Sequence, residues 1–254
     1  MTAANPQWVP QLEPGTRVLV FGASGGIGRA LVDMLLQSDC RIGAHFHQST
    51  LATEDRRLVP LQFALNGDGD CRKVVDAFVS ACGGVDAMVY LAGGASQPCH
   101  WRDVPEDDWN QDIARNLSLP FFAARAAFPH LVQAGERGRI VLNSTESALH
   151  GGGPSNLAYA VAKYGTECTV QGLAREAARF GSTVNAVRFG FIDSGFHRRW
   201  QNRTDDQLRT RVDLIPLKRA GRVEEAAALV TYLLSGWAGF ITGQVFSLAG
   251  GDYL

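Results

Sequence analysis

Lysine is scarce: Lys73, Lys163 and Lys218 are all of it in 254 residues. Arginine carries nearly all the other positive charge and is scattered. Even Arg198 and Arg199 form a pair rather than a patch. With a formal net charge of -1, there is no electrostatic footprint for nucleic acid or for an anionic membrane. Cysteine is sparse too. Cys40, Cys71, Cys82, Cys99 and Cys168 are odd in number and form no Cys-x-x-Cys. That argues against a disulfide framework and against a zinc site. No apolar run is long enough to span a bilayer. The N-terminal extension, residues 1–14, carries prolines and polar residues and no apolar stretch of the secretory kind. The expected location is therefore a reducing cytoplasm.

The chain has instead the balance of a well-packed globular protein, with 46% apolar and 19% charged residues. Apolar runs and helical periods alternate along it, without linker, repeat or low-complexity segment. Strands are predicted at 17–21, 41–46, 58–65, 85–91, 138–143, 183–189 and 241–248. Helices are predicted at 74–81, from Trp101 to Asn116, at 119–133, 158–180 and 223–235. The segment 194–215 has no clear period and reads as a substrate lid. The order predicts one α/β domain spanning 1–254, a doubly wound parallel sheet.

Between the first strand and its helix lies Gly22-Ala23-Ser24-Gly25-Gly26-Ile27-Gly28. Strand, glycine loop and helix in that order suit a dinucleotide. Gly22 allows the tight turn, Gly26 lets the backbone approach a pyrophosphate, and Gly28 allows close helix packing. The helix N-terminus offers free N–H groups to the anion. After the second strand come His47, Gln48 and Ser49, with no carboxylate before Glu54. A carboxylate here would bind the ribose diol and repel a 2′-phosphate. Its absence, beside three donors, favours NADP(H) over NAD(H).

Tyr159 and Lys163 form the one Tyr-x-x-x-Lys of the chain. On a helix this spacing puts both on one face. A nearby ammonium favours the phenolate, so the tyrosine pKa is expected to fall toward neutrality. Such a tyrosine can exchange a proton with a carbonyl or alcohol oxygen.

Together these stretches resemble the short-chain dehydrogenase/reductase family, in its single-domain form that includes the β-ketoacyl carrier-protein reductases. The similarity runs from Arg17 to the end. It includes Asp86 with Ala92 and Gly93, Asn116, Ile215 to Gly221, Ile241 to Gln244, and Gly250-Gly251. The resemblance implies a Rossmann-type fold, a nicotinamide cofactor, a small carbonyl or alcohol substrate, and a homotetramer. It implies Tyr159 as general acid/base and Lys163 as the residue that lowers its pKa and holds the nicotinamide ribose. Asn116 would anchor a water chain. Ser24, Gly25, Ile27, Ala92, Gly93, Gly190 and Ile192 join the glycines at the cofactor.

Four positions depart from the family pattern. Tyr90-Leu91 replaces an Asn-Asn, Phe189 precedes Gly190 where proline is usual, and Ala64 stands where an acid is expected. The substrate-orienting hydroxyl is the fourth. Register from Gly138 places it at Thr145, whereas the usual separation from the tyrosine is one residue shorter and falls nearer Ser144. Adjacent strand residues face opposite ways, so one of the two reaches the substrate. Ser147 stands behind both. Ser96, Gln97, His150, Phe191, Phe196 and Trp200 are pocket candidates. Two other readings stay open: an NAD(H)-dependent alcohol dehydrogenase, and a dinucleotide-binding sensor without turnover.

Overall fold

The computed structural model describes residues 11–48, 54–201 and 203–252. Seven parallel strands form one sheet in the order β3-β2-β1-β4-β5-β6-β7. They are β1 (Arg17–Phe21), β2 (Arg41–Phe46), β3 (Leu58–Gln62), β4 (Ala87–Tyr90), β5 (Arg139–Thr145), β6 (Thr183–Phe189) and β7 (Val245–Leu248). The strand order reverses at β1, between β2 and β4. Ligands of doubly wound sheets bind beyond the strand carboxyl ends at such a point.

Side chains alternate between the two faces, as the pleat requires. Val18, Val20, Ile42, Ala44, Val89 and Val141 pack on one face, under α1 (Gly26–Leu35) and α8 (Val223–Leu234). Leu19, Phe21, Met88, Tyr90, Ile140 and Leu142 pack on the other. There they meet α2 (Asp68–Cys82), α4 (Leu119–Ala134) and α5 (Leu157–Ala178). Ala123, Ala124 and Ala127 give α4 a smooth inner face, so it lies close to the sheet. Tyr90, the departure from the family asparagine, is 1% exposed and stacks on Phe21 with ring centroids 5.3 Å apart. Apolar packing thus takes the place of the asparagine usual at this position.

The predicted elements are all present, with shifted ends. Helix α2 starts six residues early, because its first turn is acidic and polar: Asp68 pairs with Arg72 and Arg125. No apolar period marks such a turn. Strand β3 ends at Gln62. The helix expected from Trp101 is α3 (Glu106–Ile113), and a π-turn over Ala114–Ser118 joins it to α4. Strand β5 runs two residues further than predicted, through pairings of Ser144 with Arg188 and Thr145 with Phe189. Strand β7 begins at Val245, because Ile241 and Thr242 bond side chain to backbone with Asn185 and Val184 instead. The stretch 194–215, read as aperiodic, holds α6 (Phe196–Gln201) and α7 (Asp205–Leu214). Thr204 and Gln207 cap α7 reciprocally, a local signal independent of hydrophobic period.

Candidate active site

The carboxyl ends of β1, β4, β5 and β6 open into a cleft. The glycine loop forms one wall. Gly22 has φ +82°, and a Cβ there would lie 2.5 Å from the backbone nitrogen of Ala92. The turn is therefore restricted to glycine both by conformation and by the chain behind it. A Cβ on Gly26 would lie 2.5 Å from the carbonyl oxygen of Ser194. The segment after β6 thus already lies against the loop. No side chain caps α1 at Gly25, so its first N–H groups remain available to an anion.

His45, near the end of β2, ties the loop to the sheet. Its Nε2 donates to the Phe63 carbonyl at 3.1 Å, and its Nδ1 accepts from the Gly22 N–H at 3.4 Å. Acceptance at Nδ1 requires the neutral ring. Burial pushes its pKa down to about 4, which keeps it neutral at pH 7. His47 and Gln48 follow at the exposed strand end. The third predicted donor there, Ser49, lies outside the described residues. Asp55, the first aspartate after the strand in the chain, is bound by Arg57 through Nε at 3.0 Å and Nη2 at 2.7 Å.

The π-turn places Asn116 at the cleft floor. Its amide nitrogen donates to the carbonyls of Gly94 at 2.8 Å and Asp112 at 3.0 Å. Its own carbonyl accepts from the Thr166 hydroxyl at 2.6 Å. Its Oδ1 is buried without a partner. A buried acceptor left open in this way is costly, and it suits a bound water or ligand hydroxyl.

Strand alternation sorts the hydroxyls after Leu142. Asn143 and Thr145 share one face and Ser144 takes the other. Ser144 is 2% exposed, and its hydroxyl donates to Glu167 Oε1 at 2.5 Å. Arg188 holds that carboxylate in a two-point bond, Nε at 2.9 Å and Nη2 at 2.6 Å. Ser144 is thus drawn into a buried ion pair, away from the tyrosine. The Thr145 side chain lines the cleft together with Tyr159, and its hydroxyl works to lower the Tyr159 pKa. It also accepts from the Ser147 N–H at 3.4 Å, and Ser147 lines the cleft beside it.

Tyr159 and Lys163 share a face of α5, as their spacing requires. The ammonium sits 5.8 Å from the tyrosine ring centroid. It donates to the Asn143 side-chain oxygen at 2.9 Å and to its carbonyl at 3.2 Å. The expected pKa of Tyr159 is corrected by this arrangement. Burial raises it, the Thr145 hydroxyl offsets part of the rise, and the charge of Asp112 adds to it. Lys163, also buried, falls to about 7. Desolvation is the leading cause of the shift at both groups.

Most of the predicted cofactor residues meet here: Gly22, Gly25, Gly26, Ile27, Gly28, Gly93, Gly190 and Ile192 all line the cleft. Ser24 does not line it, and its carbonyl instead accepts from Arg29 at 3.0 Å. Ala92 sits behind Gly22. Among the substrate candidates, Phe196 lies over Tyr159 with centroids 6.0 Å apart, and Phe191 stacks on His197 at 4.5 Å. Ser96 and Gln97 border a smaller neighbouring cavity. His150 is exposed and outside the cleft. The side chain of Trp200 lies outside the described residues. Sequence reading missed Asn143 as the partner of Lys163. The signal was present, since Asn143 is two residues before Thr145 on the same strand face. It also missed Asp112, whose Oδ1 accepts from the Ser96 N–H at 2.9 Å and hydroxyl at 3.1 Å.

A doubly wound sheet, an uncapped glycine loop and a Tyr/Lys/hydroxyl group in one cleft define an oxidoreductase that uses a nicotinamide dinucleotide. A family model described as enoyl-(acyl carrier protein) reductase matches residues 22–252. The chain is 31% identical over 250 residues to the 3-oxoacyl-[acyl-carrier-protein] reductase FabG of Escherichia coli strain K12, covering 94% of this chain and 98% of FabG. It is 31% identical over 247 residues to a 2,3-dihydroxy-2,3-dihydro-p-cumate dehydrogenase of Pseudomonas putida, covering 94% of each. A dehydrogenase/reductase from Sinorhizobium meliloti 1021 has the same fold at a TM-score of 0.84, with 23% identity over 96% of this chain and 97% of that one. The chain belongs to the short-chain dehydrogenase/reductase family and is an NAD(P)-dependent enzyme of it.

Proposed function

We infer that the enzyme reduces a carbonyl compound, or oxidises the corresponding secondary alcohol, with NADP(H) as the favoured cofactor. The observation that carries this is the Tyr159–Thr145 hydroxyl pair, set in the cleft that the glycine loop walls. The cleft fits a dinucleotide. The start of α1 is uncapped, and among the described residues that line the cleft there is no carboxylate, while Lys163 and Arg199 are present. His47 and Gln48, exposed donors at the end of β2, support a 2′-phosphate contact there.

A bound nicotinamide supplies or accepts the hydride. The chain's own residues handle the proton. Thr145 holds the substrate oxygen beside the Tyr159 hydroxyl, which donates a proton to it in reduction and takes one back in oxidation. Lys163, fixed by Asn143, faces the nicotinamide ribose. The anionic phosphates of a bound dinucleotide favour its charged form, which in turn lowers the pKa of Tyr159. Asn116 Oδ1 accepts from a water that resupplies the proton. Phe196 and His197 cover the substrate side and exclude solvent. A homotetramer completes the proposal, since Trp237 and Phe240 stand 80% and 103% exposed beside the edge strand β7.

NADPH consumption with a panel of ketones tests the reading. Tyr159→Phe keeps the ring and removes the proton, so turnover falls by roughly 10²- to 10⁴-fold while cofactor affinity survives. Binding without consumption across the panel would favour a sensor. Undiminished turnover in Tyr159→Phe would take the tyrosine out of the mechanism.

A further inference from the structure

The cleft has two ends of different chemistry. Around Tyr159 it is aromatic, with Phe196 and His197 over the phenol. Around the glycine loop it is backbone N–H and the open end of α1. Helix α6 spans both. Phe196 and Arg199 are one turn apart on it, so they share a face, and both line the cleft. The backbone joins α6 directly to the loop wall, because Ser194 packs on Gly26 and Gly195 follows it.

Side chains on a helix lean toward its N-terminus, and Arg199 does so. Its Nη2 lies 3.7 Å from where a Cβ on Gly195 would be. The guanidinium is thereby carried back toward the Ser194–Gly26 contact rather than out over Tyr159. Neighbouring arginines are occupied: Arg198 pairs with Asp205, Arg209 with Asp206 and Arg211 with Asp252. Arg199 forms no ion pair among the described residues. An arginine left unpaired in a cleft without carboxylates is suited to a two-pronged contact with a phosphate.

We propose that Arg199 grips the cofactor pyrophosphate from the side opposite the glycine loop, so that α6 is anchored on the dinucleotide as well as covering the substrate end. The inference rests on the dinucleotide-binding reading above. In this arrangement the loop N–H groups and the guanidinium hold the phosphates from two sides. Binding the cofactor then holds Phe196 in its place over Tyr159 and fixes the substrate end.

Binding titrations by tryptophan fluorescence test it on the parent protein, Arg199→Gln and Arg199→Lys. The ligands are NADPH, NADH, ADP and 2′-AMP. Arg199→Gln weakens NADPH, NADH and ADP alike, by about tenfold, the low end for a charge-assisted hydrogen bond. It leaves 2′-AMP unchanged, and Arg199→Lys recovers part of the loss. Thermal unfolding of the free variants matches the parent, which separates a lost contact from a lost fold. Three results would overturn the proposal: unchanged ADP and NADPH affinity in Arg199→Gln, a loss confined to 2′-AMP, or unchanged cofactor affinity with a raised KM for acidic ketones. Failure of the parent itself to bind either dinucleotide would sink the functional reading, and the proposal with it.

Discussion

Lys163 is the residue on which burial and charge conflict most directly. The unfolded chain holds its proton up to about pH 10.4, whereas the folded one releases it near pH 7 because of desolvation. Between those values the unfolded state binds more protons, so stability rises with pH across that window. Below it both states are charged and the full cost of burying the ammonium remains. Lys163→Met should therefore stabilise the cofactor-free protein by about 1–4 kcal/mol at pH 6, as replacing a buried charge with a packed apolar group can do. The gain should shrink toward pH 9, and activity should be lost. Melting temperatures of both proteins across pH 6–9 check it, and a parent curve flat over that range would contradict the assigned shift. The adjacent hydroxyls separate as cleanly. Thr145→Ala lowers turnover with little effect on stability. Ser144→Ala costs about 1 kcal/mol by removing a buried bond to Glu167 and spares turnover by comparison. Single-turnover rates beside denaturant melts tell them apart, and a larger catalytic loss at Ser144 would reverse the assignment.

Among the elements, the end of β2 decides which dinucleotide is preferred. The strand delivers His45 inward, where it braces the glycine loop, and His47 outward to solvent. The two roles are separated by the end of the strand, since β2 stops at Phe46 and His47 follows in the exposed turn. His47→Asp places a negative charge at the proposed 2′-phosphate position. One exposed charge contact of about 1 kcal/mol shifts the NADPH-to-NADH affinity ratio by roughly fivefold toward NADH. Titrating both cofactors measures it. A parent that already prefers NADH would show that the missing carboxylate has been misread. The helical elements carry a different lesson. The start of α2 and the π-turn before α4 are set by ion pairs and by Asn116 bonding to Gly94 and Asp112, and neither leaves a hydrophobic period.

At the scale of the whole molecule, two apolar layers cover the sheet, and the cleft sits where the strand order reverses. Asp86 locks that centre. Burial works to raise its pKa, but bonds from Arg17 outweigh it and the net shift is downward. Arg17 binds it through Nε at 2.8 Å and Nη2 at 2.7 Å, joining β1 to the start of β4. The outer edge is unlike the centre. Phe240 and Trp237 project from the turns around β7, where no neighbouring strand covers the edge. Such an apolar rim fits association between copies. Phe240→Asp should lower the sedimenting mass of the parent by at least half. A parent that sediments as a monomer would remove the tetramer from the proposal.

Sequence alone was enough for the doubly wound order, the glycine loop and the Tyr159/Lys163 face, because each rests on local spacing and chain order. It also placed Asn116 and narrowed the strand-five hydroxyl to neighbouring residues. Tertiary packing decided the rest. Which hydroxyl faces Tyr159 depended on Glu167 and Arg188, which come from two other elements and draw Ser144 aside. The pKa of Tyr159 went up rather than down because spacing reports who is near, whereas desolvation depends on everything packed around the pair. Arg199 had no motif to announce it. Its place at the cleft follows from the contact of Ser194 with Gly26, between residues far apart in the chain that only the closed fold brings together.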